Sequence, residues 1–476
     1  MGLSDRIISL GTLFTVACVL FSIYMRDYNE LDARLINVIN GLISVEEQQV
    51  RLSPKVAVGY GACVDLFVDG KDLLPSDVEN LRPRHHDFIN DYFQLYESYS
   101  YYFQHGAAAE RFTSNSSLFD ELVSAAERTP GSRYVIGGNA AVMAIRMHYE
   151  GCRVLLAATL SDRHLKSIPE EITVVGGPIT RDDVHLILEY KAGETWGSYS
   201  APRANRYILH NDYYNPRVKS LHDFGAQLKA FRPDVFVVSG LQLMDNYIYD
   251  EKRDLRIEIL QGIRDQIFMV PRSTKIHFEM ASYTEEKLLN LVKEDIVPFS
   301  DSLGMNEQEL ANLHSLYMYG NVSVVTDSTP RVASVLDEMR SIFWEIRRTS
   351  KSVPDHKTLT RLHVHTLAFQ AIMTDTHSPW KQSDVAAAKA SLTAYRHVCA
   401  SPEVDANQAK LLMDDSFSRS LNGGTDRVVL EPERPVPCWQ EGQVTICVAT
   451  GVVCRNAQQT AGGGDNISAA ALAVQI

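Results

Sequence analysis

Short apolar, β-rich runs alternate along this chain with longer segments in which apolar residues recur at helical spacing. The predicted strands are Lys55–Val68, Ser132–Ile136, Arg153–Leu160, Val235–Ser239, Lys275–Glu279, Val322–Thr326, Leu362–Phe369 and Val444–Val453. The predicted helices are Ala140–Tyr149, Glu285–Glu294, Glu307–Met318, Pro330–Arg348 and Ser383–Val398. This alternation predicts an α/β fold whose central, mostly parallel sheet is sandwiched by helices.

Two segments, roughly 69–133 and 171–199, interrupt the alternation. We expect them to form a smaller lid domain inserted into an α/β core that spans residues 29–476. In open α/β sheets, ligands bind beyond the carboxyl ends of the strands. Chemically active side chains are therefore expected in the turns that follow the predicted strands.

The sequence of residues 1–28 indicates a targeting segment. Ile7–Met25 is a run of 19 residues without a charge, which is just long enough to span a bilayer and longer than a typical signal-peptide core. We expect a signal peptide or a signal anchor. Either one places the protein in the secretory pathway, in the endoplasmic reticulum (anchored or lumenal) or outside the cell.

The composition and charge of the chain limit the kinds of binding partner that we expect. The net charge of −13 argues against a nucleic-acid partner, which needs a basic face, but it allows a small phosphorylated ligand held by a local cluster of cations. Membrane contact is expected only through the N-terminal segment, and the protein is expected to be a monomer. None of the seven cysteines forms a CxxC pair, which argues against a zinc site.

Four cysteines fall after residue 398. One disulfide among them would suit an oxidising compartment. The alternative is that they are small buried thiols.

A glycine-rich turn near the C-terminus, Gly462-Gly463-Gly464-Asp465, follows a β-like run and precedes an apolar helical tail. Backbone N–H groups and the helix dipole at such a helix start suit a phosphate. Asp465 would lie beside that phosphate, where a base could take a proton from an attacking hydroxyl. The turn therefore indicates phosphoryl transfer to an alcohol, although an N-capping aspartate in a plain glycine loop is the alternative.

Acidic residues follow two other predicted elements. Glu279 ends a strand, and Glu307 and Glu309 follow a predicted turn at residues 302–304. Carboxylates at neighbouring strand ends suit a hydrated Mg²⁺. Alone, Glu307 and Glu309 are equally typical of acids at a helix N-terminus.

Three further groups of residues are candidates for substrate contacts. Arg203 and Arg206 precede a strand and could bind phosphate, or could lie in an exposed basic turn. Asp65, which follows Gly61, and Asn139, which follows Gly138, could bind sugar hydroxyls as acceptor and donor. In isolation they are ordinary turn residues.

Taken in order, the segments GACVD, GAAAERF, GGNAAVMA, PRANRYI, KIHFEMAS, DSLGMNEQEL, RLHVHTLAFQ and GGGDNIS resemble the eukaryotic ADP-dependent glucokinases of the ribokinase-like superfamily. The resemblance covers nearly all of the chain after residue 50. It implies a ribokinase-like sheet with a lid, and transfer of the β-phosphate of ADP to the 6-hydroxyl of glucose with release of AMP. It also implies Mg²⁺ as the cofactor.

The resemblance assigns roles to individual positions. Asp465 matches the catalytic base, and Gly462, Gly463 and Gly464 match the anion hole. Glu279 and Glu309 match positions that organise Mg²⁺ together with Asp465. The sugar contacts implied are Asp65, Glu110, Gly138 and Asn139, and the nucleotide contacts are Arg206 and Val453. The chain departs from the family at Gly463 and Asn466, where the family usually has leucine and alanine.

Two other functions fit the same residues. One is a related sugar kinase that uses ATP or phosphorylates fructose 6-phosphate, for which the basic segment Arg82–His86 could supply extra cations. The other is a lumenal binding protein whose catalytic site is impaired by the altered glycine turn.

Overall fold

The computed structural model describes residues 30–249, 254–322, 330–422 and 427–476. Its strands, numbered in chain order, are β1 Lys55–Gly59, β2 Cys63–Asp69, β3 Ala109–Phe112, β4 Arg133–Gly137, β5 Arg153–Ala157, β6 Thr173–Val175, β7 Val184–Tyr190, β8 Thr195–Trp196, β9 Tyr199–Ser200, β10 Asn205–His210, β11 Val235–Val238, β12 Lys275–Glu279, β13 Ser302–Asn306, β14 Arg361–His365, β15 Phe369–Asp375, β16 Ala409–Leu411, β17 Ser416–Ser418, β18 Arg427–Val429, β19 Cys438–Glu441, β20 Val444–Thr450 and β21 Val452–Cys454.

The helices are α1 30–46, α2 Gly70–Leu73, α3 Tyr92–His105, α4 Ser116–Arg128, α5 Asn139–Tyr149, α6 Asp162–Leu165, α7 Leu221–Phe231, α8 Leu255–Met269, α9 Glu286–Asp295, α10 Glu307–Tyr319, α11 Val332–Ser350, α12 Ser383–Val398 and α13 Gly463–Val474. The five helices predicted from periodicity are confirmed to within two residues at each end. Capping explains several ends: Asp91 accepts a hydrogen bond at the start of α3, and Gly106 ends that helix in the left-handed conformation.

The larger sheet has ten strands in the order β19-β20-β15-β14-β13-β12-β11-β1-β5-β6. From β6 to β14 every neighbouring pair is parallel, and the edge beyond β14 is antiparallel. The α/β prediction is therefore confirmed. The carboxyl ends of β12, β13 and β14 lie side by side at one edge, which places Glu279, Asn306 and His365 together.

Both faces of this sheet are covered because successive strand residues point to opposite sides. In β1, Ala57 packs in the core formed with α7 to α11, whereas Val56 and Val58 pack in the core formed with α5 and α13. Helices α1 and α12 extend the second layer. The two layers hold the start of α13 against the carboxyl ends of the strands.

A second sheet has five strands in the order β3-β10-β7-β2-β4. Its own core lies against α3 and α4. The strands of this smaller sheet span residues 63–137 and 184–210: β3 and β7 fall within the segments 69–133 and 171–199, whereas β2, β4 and β10 lie mostly or wholly beyond them.

Several predicted strands are wrong in extent. Residues 55–68 form two strands in different sheets, because the chain turns at Gly61, which has a φ of 91°. Residues 362–369 and 444–453 each contain a turn between two strands. The predicted turn at residues 302–304 is part of the central strand β13, where neighbours on both sides complete its hydrogen bonds.

Two predictions fall mainly or entirely outside the described residues: the strand at Val322–Thr326 and the targeting segment at residues 1–28. Within the four described ranges, no helix is both long enough and apolar enough to cross a membrane.

Candidate active site

The glycine-rich turn begins a helix, as its sequence predicts. Gly462 is the N-cap of α13 and has a φ of 69°, a conformation that favours glycine. The backbone N–H of Asn466 donates to the carbonyl oxygen of Gly462 at 3.1 Å, and the Asn466 side-chain amide donates to the same oxygen at 2.9 Å. The first N–H groups of a helix have no partner within it, so the turn presents donors suited to an anion.

Asp465 lies in the first turn of α13 and is fixed by a chain of amides. Its Oδ1 accepts a hydrogen bond from Asn139 Nδ2 at 2.8 Å, and Asn139 Oδ1 accepts one from Gln242 Nε2 at 2.7 Å. Burial and the charge of Glu279 raise the pKa of Asp465 to about 6. The carboxylate is therefore ionised at neutral pH. Its pKa also lies closer than that of an exposed aspartate to the near-neutral value that suits a general base.

Asn139 is placed by a close crossing of two backbone segments. Gly138 has a φ of 83°, and a Cβ atom there would lie 2.7 Å from Ala62 Cα. Only glycine fits such an approach. Residues 60–62 and 138–152 are two of the four connections between the larger and the smaller sheet, and residues 176–183 and 211–234 are the others. Asn139, at the start of the second connection, contacts Asp465.

Glu279, at the end of β12, is buried in a network of donors. Its Oε2 accepts from His277 Nε2 at 2.9 Å and from the hydroxyl of Ser468, and its Oε1 lies 3.5 Å from His365 Nε2. Burial alone would raise the pKa of Glu279. The hydrogen bonds and charges of His277 and His365 outweigh it and hold that pKa well below its usual value.

Glu309 forms a capping box with Asn306 at the start of α10. Asn306 donates to it through its backbone N–H and its side-chain amide, both at 2.8 Å, and the Glu309 N–H donates to Asn306 Oδ1 at 2.9 Å. Burial, together with the charges of Glu279 and Glu307, raises the pKa of Glu309 to about 7. The carboxylate thus has a structural role and also lies within the electrostatic reach of Glu279.

The three carboxylates expected at a metal are near each other without forming a preassembled ligand cage. The charge of Glu279 raises the pKa of both Asp465 and Glu309. Over the described ranges, however, the clusters of three ligating residues with atoms within 4.8 Å lie on the smaller sheet instead. The geometry agrees with residues that hold a metal's water molecules or only one side of its coordination shell.

One face of the smaller sheet carries a row of polar side chains. Asp65 pairs with His185 across β2 and β7, and Arg206 pairs with Glu189 across β7 and β10. The alternate residues of these strands point into the core with α3 and α4. This polar face is the one that interacts with Asp465.

Arg206 is electrostatically linked to Asp465, and Asp65 is linked to Arg206. Burial raises the pKa of Asp65 to about 6, although the charge of His185, a hydrogen bond from Cys63 and the charge of Arg206 partly offset it. The Arg206 Nε atom is buried without a hydrogen-bond partner, and burial lowers the pKa of this arginine. The charges of Glu110, Asp65 and Asp465 offset that effect, so Arg206 lies within the electrostatic reach of all three acids.

Behind these residues is a buried pair that the sequence did not reveal. His185 Nε2 lies 3.1 Å from both carboxylate oxygens of Asp212, and His210 Nδ1 lies 3.4 Å from Asp212 Oδ1. His185 Nδ1 faces Glu110 Oε1 at 3.7 Å. Burial alone would lower the pKa of His185, but the charge of Asp212 raises it well above its usual value. A histidine beside the apolar run at residues 186–188 of β7 was the available signal.

Val453 lies farther from this chemistry. It pairs with Lys410 between β21 and β16, and the adjoining Cys454 forms a disulfide with Cys399 at the end of α12. A second disulfide joins Cys438 to Cys447. The strand leads towards the glycine-rich turn that begins α13.

The sequence and the fold both match known proteins. The ADP-specific phosphofructokinase/glucokinase conserved region matches residues 54–474. The chain is 32% identical to the ADP-dependent glucokinase of Bos taurus over 88% of this chain and 84% of that one. It is 26% identical to the probable ADP-dependent glucokinase of Caenorhabditis elegans over 98% and 94%.

A crystal structure of a hypothetical ADP-dependent phosphofructokinase from Pyrococcus horikoshii superposes with a TM-score of 0.60 at 17% identity, and the match covers 89% of this chain and 98% of that one. At that identity the likeness shows a shared fold. The match over residues 54–474 shows more, because it includes the glycine-rich turn and nearly every element of both sheets. The chain therefore belongs to the ADP-specific phosphofructokinase/glucokinase family.

Proposed function

We propose that this protein is an ADP-dependent glucokinase, which transfers the β-phosphate of ADP to the 6-hydroxyl of glucose and releases AMP. One observation carries the proposal: Asp465, at the start of a glycine-led helix, faces a sheet surface that bears hydroxyl-binding acids and one buried arginine. The Bos taurus relative, named an ADP-dependent glucokinase, supports the choice of nucleotide and sugar.

The charges of the residues that we propose as sugar contacts favour an uncharged sugar over a phosphosugar. Asp65 and Glu110 accompany Arg206 there, and a sugar phosphate would need more cations than that. The basic segment Arg82–His86 does not supply them. His86 pairs with Glu97, and the carbonyl oxygen of His86 accepts a hydrogen bond from Arg111. The Arg111 side chain lies on the face of the sheet opposite to that of Glu110.

The reaction follows from these positions. Asp465 accepts the proton of the sugar hydroxyl as the hydroxyl oxygen attacks phosphorus, and AMP leaves on the opposite side. The N–H groups of Gly463 and Gly464 and the guanidinium of Arg206 stabilise charge on the transferred group. Asn139 holds Asp465 in the orientation that the attack requires.

The residues present suit Mg²⁺, which the family implies. The charge of Glu279 raises the pKa of both Glu309 and Asp465, and a cation nearby would relieve that repulsion. When bound, Mg²⁺ neutralises phosphate charge. We assign Glu279 and Glu309 to organising the ion and its waters.

We further propose that the smaller sheet acts as a lid. Two of its four connections to the core cross at Ala62 and Gly138, and a small rotation of the sheet about these connections would move Asp65, Glu110 and Arg206 relative to Asp465. Closure would exclude water, which otherwise competes with the sugar for ADP.

We place the adenine of ADP against β21 and the turn that follows it, with Val453 in the wall. The distance from this strand to Asp465 would then set how many phosphates fit, because the glycine-rich turn binds any terminal phosphate. A third phosphate would displace the sugar or collide with the turn.

We propose that the protein is located in the secretory pathway and that the enzyme is a monomer. The disulfides Cys399–Cys454 and Cys438–Cys447 support an oxidising compartment. Mass spectrometry of the protein from its native source would show both pairs oxidised, and free thiols at all four positions would contradict this location.

The choice of acceptor is tested by comparing glucose with fructose 6-phosphate at fixed ADP. We expect kcat/KM for glucose to exceed that for fructose 6-phosphate by at least about 100-fold, because burying an unpaired phosphate charge among carboxylates costs several kcal/mol. A coupled assay for each product measures both rates. Comparable values for the two sugars would contradict the glucokinase proposal and leave the family membership intact.

The pH dependence follows from the raised pKa values. Asp465 accepts a proton only when ionised, and its pKa is raised to about 6, as is that of Asp65. We expect kcat/KM for glucose to be constant above neutrality and to fall as pH drops through about 6. A pH–rate profile checks this. An acid limb near the value of an exposed carboxylate, about 4, would contradict the assigned base.

The metal assignment is tested most cleanly at Glu309. Glutamine can also complete a capping box, so Glu309→Gln should keep α10 intact while removing charge. We expect the Mg²⁺ concentration for half-maximal turnover to rise about 10-fold or more. Glu286→Gln, at the first turn of α9, is the matched control. If the wild type, Glu309→Gln and Glu286→Gln showed the same Mg²⁺ dependence, Glu309 would have only its capping role.

A further inference from the structure

Three side chains with different metal-binding atoms converge on the polar face of the smaller sheet. The ligating atoms of Cys63, Asp65 and His185 all lie within 4.8 Å of one another. Asp65 and His185 are register partners on β2 and β7, and the Cys63 thiol donates to Asp65 Oδ1 at 3.3 Å. We call these three residues the thiol cluster.

The histidine of the thiol cluster is held as metal-binding histidines usually are. Its Nε2 contacts both oxygens of Asp212, and Asp212 also accepts from Asn215 Nδ2 at 2.8 Å. In metal sites the second ring nitrogen typically donates to a carboxylate, which fixes the ring and its tautomer. Nδ1 is left for a ligand, and Glu110 Oε1 lies 3.7 Å from it.

We propose that the thiol cluster binds a thiophilic divalent ion of the Zn²⁺ type and that this ion inhibits the enzyme. Sulfur, nitrogen and carboxylate oxygen together suit Zn²⁺ or Co²⁺, whereas Mg²⁺ prefers oxygen ligands alone. On binding, the Cys63 thiol and His185 Nδ1 each release a proton to solvent as their bonds to the metal form, and His185 keeps the Nε2 proton that it donates to Asp212. Water completes the shell.

The absence of a CxxC pair does not argue against such a site. That spacing describes sites built within one turn of chain, whereas these ligands come from two neighbouring strands. The three residues also differ from the carboxylates assigned to Mg²⁺, so the two ions would occupy separate places.

Inhibition rests on the proposed function, because Asp65 and Glu110 are the proposed sugar contacts. An ion held by Asp65 would occupy the position of the sugar hydroxyls. We therefore expect Zn²⁺ to compete with glucose and not with ADP.

Cobalt titration of the full-length protein tests the site directly, since Co²⁺ bound to a thiolate gives a near-ultraviolet charge-transfer band. We expect the band in the wild type and in Cys152→Ser, whose cysteine is the other free buried thiol of the described residues, and its loss in Cys63→Ser. Asp212→Asn should weaken Co²⁺ binding about 10–100-fold. Glucose should displace the ion.

Alkylation of the wild type, mapped by mass spectrometry, gives the same answer without a substitution: Zn²⁺ should protect Cys63 and leave the labelling of Cys152 unchanged. A band that persists in Cys63→Ser, or equal labelling with and without Zn²⁺, overturns the site. If an enzyme that phosphorylates glucose shows no band, the metal site is wrong and the proposed function stands. If the band forms but glucose does not displace the ion, the overlap with the sugar site is wrong.

Discussion

Replacing Asp465 by asparagine should lower kcat for glucose phosphorylation by about 10²–10⁴-fold, the usual cost of losing a general base. Asparagine keeps the oxygen that accepts from Asn139, so the side chain should stay in place. The backbone donors of Gly463 and Gly464 are untouched. ADP affinity, measured by calorimetry, should therefore stay close to that of the wild type.

Asp301→Asn is a suitable control for that experiment. Asp301 is also buried, but it immediately precedes β13, at the end of the sheet opposite to the catalytic edge. It should change stability more than turnover. If Asp465→Asn kept more than about a tenth of wild-type kcat, another group would have to be the base.

Arg206→Met should lower kcat by about 10²–10³-fold, as expected when one preorganised electrostatic contact to the transferred group is removed. Among the described residues the Nε atom of Arg206 has no hydrogen-bond partner, so its binding capacity is left for substrate. The substitution should also move the acid limb of the pH profile to higher pH, because the Arg206 charge lowers the pKa of Asp465 and of Asp65.

Arg133→Met is the matched control for Arg206→Met. Arg133 lies on the edge strand of the same sheet and contacts Glu189 at 3.3 Å, but it is exposed. Its loss should leave kcat and the acid limb nearly unchanged. Equal effects of the two substitutions would mean that Arg206 acts only by stabilising the sheet.

Local patterns predicted the parts of this site that depend on neighbouring residues in sequence. Gly462 and Asp465 could be assigned to a helix start because the turn, the acid and the apolar tail are contiguous. The His185–Asp212 pair could not be predicted from sequence, because it depends on where β7 and the turn after β10 meet. The sheet change after Gly59 was missed for a related reason: both strands there are rich in apolar, β-branched residues, and only long-range pairing separates them.

The structure also explains the unusual glycine turn. A third glycine at Gly463 adds backbone freedom, which would cost about 0.5–1 kcal/mol of local stability. The side chain of Asn466 donates to the Gly462 carbonyl oxygen and limits that freedom. The turn therefore keeps its backbone donors and its acid. This argues against an impaired binding protein.

The central claim is that ADP is the phosphate donor and glucose the acceptor. Chromatography of nucleotides and sugar phosphates after incubation of the purified protein with glucose and Mg²⁺, and with either ADP or ATP, tests it most directly. The account predicts glucose 6-phosphate and AMP in equal amounts from ADP, and little product from ATP. Equal or faster formation of glucose 6-phosphate from ATP, with ADP as the second product, would contradict it.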